Sequence, residues 1–243
     1  MELIWPDQQL RAWLPERVNL CVTTRVSGFS SPPFGRGNLA LHVGDDIKAV
    51  ERNRECLLQQ MPGSNAIQWL QQVHGTACGV ASGGRVTPTC DSAYTREPGI
   101  ACAVLTADCL PILLMNRSGD EIAAVHAGWR GLAAGAIQTA IDRFSASSQL
   151  LAVIGPAIGF DVFEVGEEVK AAFQGAPEQV FQALGNGKFL ADLNAIAIHQ
   201  LQKAGVQCFV GMAECTVERN DRFYSYRKEG QTGRMASLIW IES

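Results

Sequence analysis

The chain alternates between stretches whose apolar residues recur at every second position and stretches where they recur at every third or fourth, the signatures of strands and helices. Near the start, "LCVTTRV" reads as a strand and leads into a Gly/Pro/Ser loop, "SGFSSPPFGRG". In "NLALHVGDD", Leu39, Leu41 and Val43 fall on one face and Asn38, Ala40 and His42 on the other, which predicts a strand with a polar face. Asp45 or Asp46 can cap a helix over "IKAVERNRECLLQQM", whose apolar stripe is Ile47, Val50, Leu57 and Met61. Arg54 falls on that stripe. Either its aliphatic stem covers the core edge while the guanidinium reaches water, or the guanidinium turns inward onto a carboxylate or a phosphate, because a buried charge needs a partner.

"AIQWLQQVHG" alternates as a strand, with Ile67, Trp69 and Val73 on one face and Gln68, Leu70, Gln72 and His74 on the other; Gly75 ends it. A Gly-rich loop, "ASGGRVTPTCD", precedes the strand "IACAVLTA", which ends in Asp108 and Cys109. "PILLMN" then turns at "RSGD" and returns as "EIAAVHA", an antiparallel hairpin. After "GWRG", the segment "LAAGAIQTAIDRF" reads as a helix with Leu132, Ala136, Ile137, Ala140, Ile141 and Phe144 on its apolar side. The second half continues with strand "LLAVIGPAIG", helix "GEEVKAAFQ", a polar Gly-containing link, helix "LNAIAIHQLQKAG" capped by Asp192, strand "VQCFVGMAEC" and the tail "RFYSYRKEGQTGRMASLIWI". Hairpins among interleaved strands and helices predict an α+β fold with mixed sheets. No linker, repeat or low-complexity tract divides the chain, so residues 1–243 read as a single domain.

Composition narrows the function classes. The net charge is −4, and the 20 Lys and Arg are scattered, so the basic stripe of a nucleic-acid binder is missing. The longest apolar run, "IACAVLTADCLPILLM", contains Asp108 and Pro111, which predicts a buried pair of strands and no membrane span. The N-terminal "MELIWPDQQLRAWLP" has neither a basic nor a continuous apolar segment of an export signal, so a cytoplasmic protein is expected. Its eight cysteines then read as free thiols, with no C-x-x-C pair to suggest a zinc ribbon or a redox motif.

The four histidines differ in promise. His199 lies off its helix's apolar stripe and reads as a surface residue, while His42 is either a structural histidine or a support for a site. His74 ends one predicted strand, Cys109 follows another within "TADC", and His126 ends a third before a glycine. Taken singly, each is an ordinary strand-end residue. If the three ends meet, two imidazoles and a thiol form a three-ligand metal site with an open fourth position, the pattern of catalytic zinc; thiolate and imidazole suit copper as well. The same atoms permit a metal-free reading, with Cys109 as nucleophile and His126 or His74 as its base. A non-enzymatic zinc scaffold is the third reading, and it would need a protein group to close the fourth position.

The stretches "NLALHVGDD", "ERNR", "WLQQVHG", "LTADCLPILL", "AAVHAGWRG", "IGPAIG" with "FEVGEEV", and "FYSYRKEGQTGRMA" resemble, in their order, the YfiH-type family, known both as laccase-domain or polyphenol oxidase proteins and as purine nucleoside phosphorylases. The resemblance spans nearly the whole chain and implies an α/β/β/α layered fold. It implies that His74, Cys109 and His126 are zinc ligands and that Arg54 helps to bind phosphate or substrate. Asn38, Asp108, Arg130 and Arg227 fall in the remaining motifs, Asp108 as a catalytic candidate and the other three as candidate substrate contacts. "TTRVSGFSSPP" departs from the family's early loop, which usually carries a paired glycine, so contacts from that loop are open.

The resemblance implies a small-molecule substrate, and the family names point to different chemistry. A multicopper oxidase needs many histidines for its copper cluster, and four are too few. Phosphorolysis of adenosine, inosine, guanosine or methylthioadenosine fits better, with adenosine deamination as a further activity because a zinc site can activate water against C6 of adenine. Some relatives edit peptidoglycan precursors, removing a misplaced L-serine from nucleotide-linked muramic acid, which would make the same triad a metal-dependent amidase.

Overall fold

Strands that are apolar on both faces need cover on both, and the fold supplies it by stacking two sheets between two layers of helices. The computed structural model describes residues 1–83, 86–145, 149–209, 211–212 and 214–243. In chain order the first half comprises β1 (Leu3–Ile4), α1 (Gln8–Trp13), β2 (Val18–Thr23), α2 (Ile47–Gln59), β3 (Ala66–Gln68), β4 (Cys78–Val80), β5 (Ser92–Thr95), β6 (Ile100–Thr106), β7 (Leu110–Asn116) and β8 (Ile122–Ala127). The second comprises α3 (Trp129–Ala134), α4 (Ala136–Ile141), β9 (Leu150–Ile154), β10 (Glu164–Gly166), α5 (Glu167–Ala172), β11 (Phe181–Gly185), β12 (Lys188–Ala191), α6 (Leu193–Lys203), β13 (Gln207–Phe209), α7 (Tyr226–Glu229) and β14 (Met235–Ile241).

One sheet has the order β1-β2-β14-β6-β3, and the other β13-β9-β7-β8-β5-β4. Both mix parallel and antiparallel pairs. Side-chain alternation sorts each strand between two cores. Val104 and Cys102 of β6, Met235 and Ile239 of β14, Leu113 and Met115 of β7, and Val153 of β9 meet in the seam between the sheets. The opposite set on the first sheet, including Ala103, Leu105, Leu238 and Trp240, packs under Leu57 of α2. On the second sheet, Ile112, Leu114, Val125 and Ile154 pack under Leu132, Ile137, Ile141, Ile196 and Leu201 of α3, α4 and α6. The result is the α/β/β/α arrangement within an α+β fold. It explains why "IACAVLTADCLPILLM" is almost uninterrupted: both faces of β6 and β7 are dry.

Several elements differ from the sequence pattern. "NLALHVGDD" forms no strand. The Asn38 amide bonds both the N–H and the C=O of Ala40, and Arg54 takes the Leu39 carbonyl, so local side-chain bonds replace a ladder. The strand expected through His74 stops at Gln68. The helix expected over "LAAGAIQTAIDRF" begins earlier, at Trp129, and is broken at Gly135, whose φ of 92° requires glycine. The polar link after α5 holds the β11–β12 hairpin, which joins β10 in a third sheet. Ile47, expected on the apolar stripe of α2, is exposed, while the predicted Asp46 cap is present. Residues 84 and 85 of the Gly-rich loop lie outside the described residues, as do 210 and 213 in the strand expected over "VQCFVGMAEC". Among the described residues, no helix is long and apolar enough to cross a membrane.

Candidate metal centre

The site lies where the chain crosses from one sheet to the other. β6 ends at Thr106, and Ala107, Asp108 and Cys109 carry the chain over to β7. Asp108 has φ 91°, a costly conformation for a residue with a side chain. It is held from several sides: its Oδ1 accepts from Thr216 Oγ1 at 2.6 Å, its Oδ2 from the Arg227 N–H at 2.7 Å, and its carbonyl from the Ile158 N–H at 2.9 Å. The crossover fixes where Cys109 points. β8 returns antiparallel with His126 opposite Pro111, which sets His126 beside Cys109. His74 arrives on an irregular segment. The Gln72 amide keeps that segment against β6 by donating to the Leu105 carbonyl at 2.8 Å and accepting from the Leu105 N–H at 2.7 Å, a side chain standing in for a strand partner.

One ligand atom from each of His74, Cys109 and His126 lies within 4.8 Å of the others. His74 Nε2 is 3.9 Å from Cys109 Sγ, and the two imidazoles meet edge to face with centroids 4.9 Å apart. At ordinary zinc bond lengths, ligand atoms around one tetrahedral ion lie about 3.3–3.6 Å apart, so this cluster is close to closing on an ion. His126 donates from Nδ1 to Asp91 Oδ1 at 2.8 Å, which leaves Nε2 facing the other two ligands. Burial pushes the Cys109 thiol up, but hydrogen bonds from His126 and His74 bring it down to about 6. Burial likewise disfavours charge on His126, while its bonds to Asp91 and Cys109 lift it to about 9. Without metal the pair therefore favours a thiolate beside an imidazolium, and the proton that a metal would displace is the one on His126. The residues present fit a metal ion with a set of three protein ligands, two nitrogen and one sulfur.

Two cavities meet at the triad. One, of about 430 Å³, is lined by His42, Gln72, Thr106, His126 and Arg234; the other, of about 230 Å³, by Asp108, Trp129, Arg130, Phe163 and Arg227. His74, Cys109 and Tyr226 border both. A larger cavity of about 710 Å³ beside α5 shares no lining residue with the two that meet at the triad.

The remaining predicted residues take different places. Arg54 turns inward, with Nε and Nη2 both donating to the Leu39 carbonyl at 2.9 and 2.7 Å and the guanidinium 4.1 Å over Trp69. Burial lowers its pKa to about 10, so it stays cationic at neutral pH. Arg130 is exposed and lies over Trp129. Arg227 lies in the smaller cavity but directs its guanidinium to the Glu164 and Val162 carbonyls. Asp108 borders that cavity with both carboxylate oxygens engaged. Asn38 corrects the expectation of a substrate contact: it is fully buried, and it bonds Ala40 twice, Asp45 Oδ2 and the Arg234 N–H, leaving nothing to offer a ligand.

Sequence reasoning missed two residues. Arg234 lines the larger of the two site cavities, bonds only the Thr232 and Gly233 carbonyls through its guanidinium, and forms no ion pair among the described residues. It stands in the quoted stretch "FYSYRKEGQTGRMA", so a signal was there. Asp91 stands in a Gly- and Thr-rich loop with no motif around it and could not have been found from spacing. His42 lies on a loop and faces the cavity; burial, then Arg234 and Arg54, lower its pKa.

The sequence model for the family described as multi-copper polyphenol oxidoreductase laccase matches residues 19–242. The chain belongs to that family. A purine nucleoside phosphorylase of Pseudomonas aeruginosa is 43% identical over 96% of this chain and 100% of its own. The purine nucleoside phosphorylase YfiH of Escherichia coli K12 is 42% identical over 98% of this chain and 96% of its own. The crystal structure of a Neisseria meningitidis protein superposes with a TM-score of 0.91 at 41% identity over the whole of both chains, and Bacillus licheniformis YfiH with 0.87 at 26% identity over 96% and 95%. Family membership and the His-Cys-His cluster together support a metal-dependent enzyme.

Proposed function

We propose that this family member is a purine nucleoside phosphorylase that uses one metal ion, zinc, at His74, Cys109 and His126. The observation that carries the reading is the pairing of that triad with positive charge: Arg234 lines the adjoining cavity, Arg54 acts with it electrostatically on His42, which faces that cavity, and neither arginine forms an ion pair among the described residues. Unpaired, half-buried guanidiniums call for an anion of the ligand's own. Inorganic phosphate fills that role. The names of the relatives at 42–43% identity agree.

Arg54 and Arg234 orient phosphate through charge-assisted hydrogen bonds. A phosphate oxygen forms the bond to C1′ as the glycosidic bond breaks, its electron pair leaving on the purine nitrogen, which takes up a proton. The metal, when bound, supplies Lewis acidity next to the charge that develops. Trp129, Phe163 and Tyr226 offer ring faces in and around the smaller cavity for a planar base. Adenosine deamination at the same centre is a companion activity.

Two other readings use the same atoms. A His₂Cys donor set is also that of copper sites, and the family description names an oxidoreductase, so copper-dependent oxidation of phenols is the second. Metal-dependent amide hydrolysis of the nucleotide-linked muramyl-serine precursor is the third, and the same positive charge would serve its phosphates equally. Chromatography of inosine and adenosine incubated with and without phosphate separates them. Phosphate-dependent release of base and ribose 1-phosphate is expected; nucleosides that survive both conditions exclude the phosphorylase. Arg234→Ala should raise the KM for phosphate about tenfold to a hundredfold, the worth of one hydrogen bond to a charged group, with Arg54→Ala acting in the same direction.

A further inference from the structure

Asp91 is fully buried at the start of β5, on a different segment from all three triad residues. Its Oδ1 meets His126 Nδ1 at 2.8 Å and accepts from the His74 N–H at 2.9 Å. Its Oδ2 accepts from the Gly75 N–H at 2.7 Å and the Val73 N–H at 3.2 Å. The backbone of Asp91 is fixed as well, because its carbonyl accepts from the His126 N–H and its own N–H reaches the Ala77 carbonyl.

The three successive amides explain an otherwise costly feature. His74 has φ 60°, in the left-handed region that residues with side chains avoid. A turn of this kind points consecutive N–H groups inward, and an anion at its centre holds it. The turn aims the imidazole so that Nε2 lies 3.9 Å from Cys109 Sγ. The fourth bond acts on the other imidazole. A carboxylate at Nδ1 holds a proton there, so when the ring gives up a proton to bind a metal, Nε2, on the side of the thiol, is the nitrogen left with the lone pair.

We infer that Asp91 assembles the metal centre: one carboxylate sets the backbone turn that carries His74 and the tautomer and ring orientation of His126. It is a positioning residue. It lines neither site cavity and reaches the reaction only through the two histidines. The inference rests on the triad being a metal site, and the test keeps the two apart.

The probes are Zn²⁺ and Co²⁺ added to stripped full-length protein, wild type and Asp91→Asn. Affinity is measured by competition with a chromophoric chelator, geometry by the visible spectrum of the Co²⁺ form, and stability by thermal unfolding with and without metal. The substituted amide keeps the volume of the carboxylate but has one acceptor oxygen, and its NH₂ group opposes the N–H donors. Affinity is expected to fall about 10–100-fold, with a changed Co²⁺ spectrum and a smaller rise in Tm on adding metal. A residue that only braced the loop would lower the metal-free Tm and leave that rise intact, which overturns the inference. The unmodified protein gives an independent check should the variant not fold: ¹⁵N-imidazole NMR of the Zn²⁺ form should show His126 protonated at Nδ1, and protonation at Nε2 overturns it. Wild-type affinity in Asp91→Asn overturns the inference alone. A wild type that binds neither ion overturns the metal reading and this inference with it.

Discussion

At the start of β8 the carboxylate of Glu121, and beside its end the carboxylate of Asp91, lie buried and crowded with donors. Glu121 accepts from Tyr94 Oη at 2.6 Å, Arg96 Nη2 at 2.6 Å, Asn116 Nδ2 at 3.0 Å and Ser145 Oγ at 2.6 Å. Asp91 gathers three backbone amides and an imidazole. Both satisfy the rule that a buried charge must be saturated with hydrogen bonds. The difference is in what each donor does next. Around Glu121 the hydroxyls and the amide lead nowhere, and the network ties β5, β7, β8 and the end of α4 together. Around Asp91 one donor has a second nitrogen that faces a cavity, so the same electrostatic device supports chemistry.

The largest separation between the two ends should come from the triad itself. Cys109→Ala removes the only sulfur ligand, so metal should fall to trace levels and kcat/KM by at least ~10²–10³-fold, the scale of losing a main electrostatic contribution to the transition state. The metal-free protein should lose no more than about 1.5–3 kcal/mol, the worth of the Cys109–His126 hydrogen bond, since Cys109 is only partly buried and supports no core cluster. Metal analysis, steady-state kinetics and thermal unfolding of one preparation check all three. An active variant without metal would exclude both the metal centre and the thiol nucleophile.

Glu121→Gln should do the reverse. Losing the ionised acceptor from a buried site costs about 1.5–3 kcal/mol of stability, with metal content and turnover of the folded protein unchanged. The pH dependence carries a sign. Burial pushes the Glu121 carboxyl up, but bonds from Ser145, Tyr94 and Arg96 hold it below its ordinary value. Its contribution is therefore fully present above the unfolded carboxylate range, near pH ~4.3, and is lost as pH falls through the lower folded value. Denaturant unfolding at several pH values should show the gap between wild type and variant closing in acid. A gap that widens would reverse the assignment.

The same contrast explains what the sequence could tell. β6, β7, β8 and the hairpin between the last two were legible because buried strands write long apolar runs, and α6 because Asp192 caps an apolar stripe. The polar motifs "TADC" and "VHAGWRG" marked Cys109 and His126 as strand-end residues. What was not legible depends on side chains acting across the chain. Nothing local says that Gln72 will pair with the Leu105 backbone, that Arg54 will take the Leu39 carbonyl and dissolve a strand, or that Asp91 will hold two segments by their amides. Asn38 misled for a related reason: a polar residue beside a site motif serves here to fix Arg234, one step from the cavity.

Gly128 offers the finest cut between structural and chemical effects at the site end of β8. Its φ is −65°, so alanine needs no backbone strain. A Cβ there would lie 3.0 Å from Cys109 Sγ and 3.4 Å from His74 Cδ2, so the methyl group presses on two of the three ligands and on little else. Gly128 is buried, so Gly128→Ala should cost the metal-free protein about 1 kcal/mol, the low end for overpacking, because the atom it meets is the end of the Cys109 side chain. Metal affinity should drop about tenfold, or ~1.4 kcal/mol, because the thiol and the His74 ring must move apart when an ion needs them closer. Chelator competition measures the loss, and Co²⁺ absorption reads the geometry. Unchanged affinity would mean that the loaded triad closes away from Gly128, with the Cys109 rotamer as the part that moves.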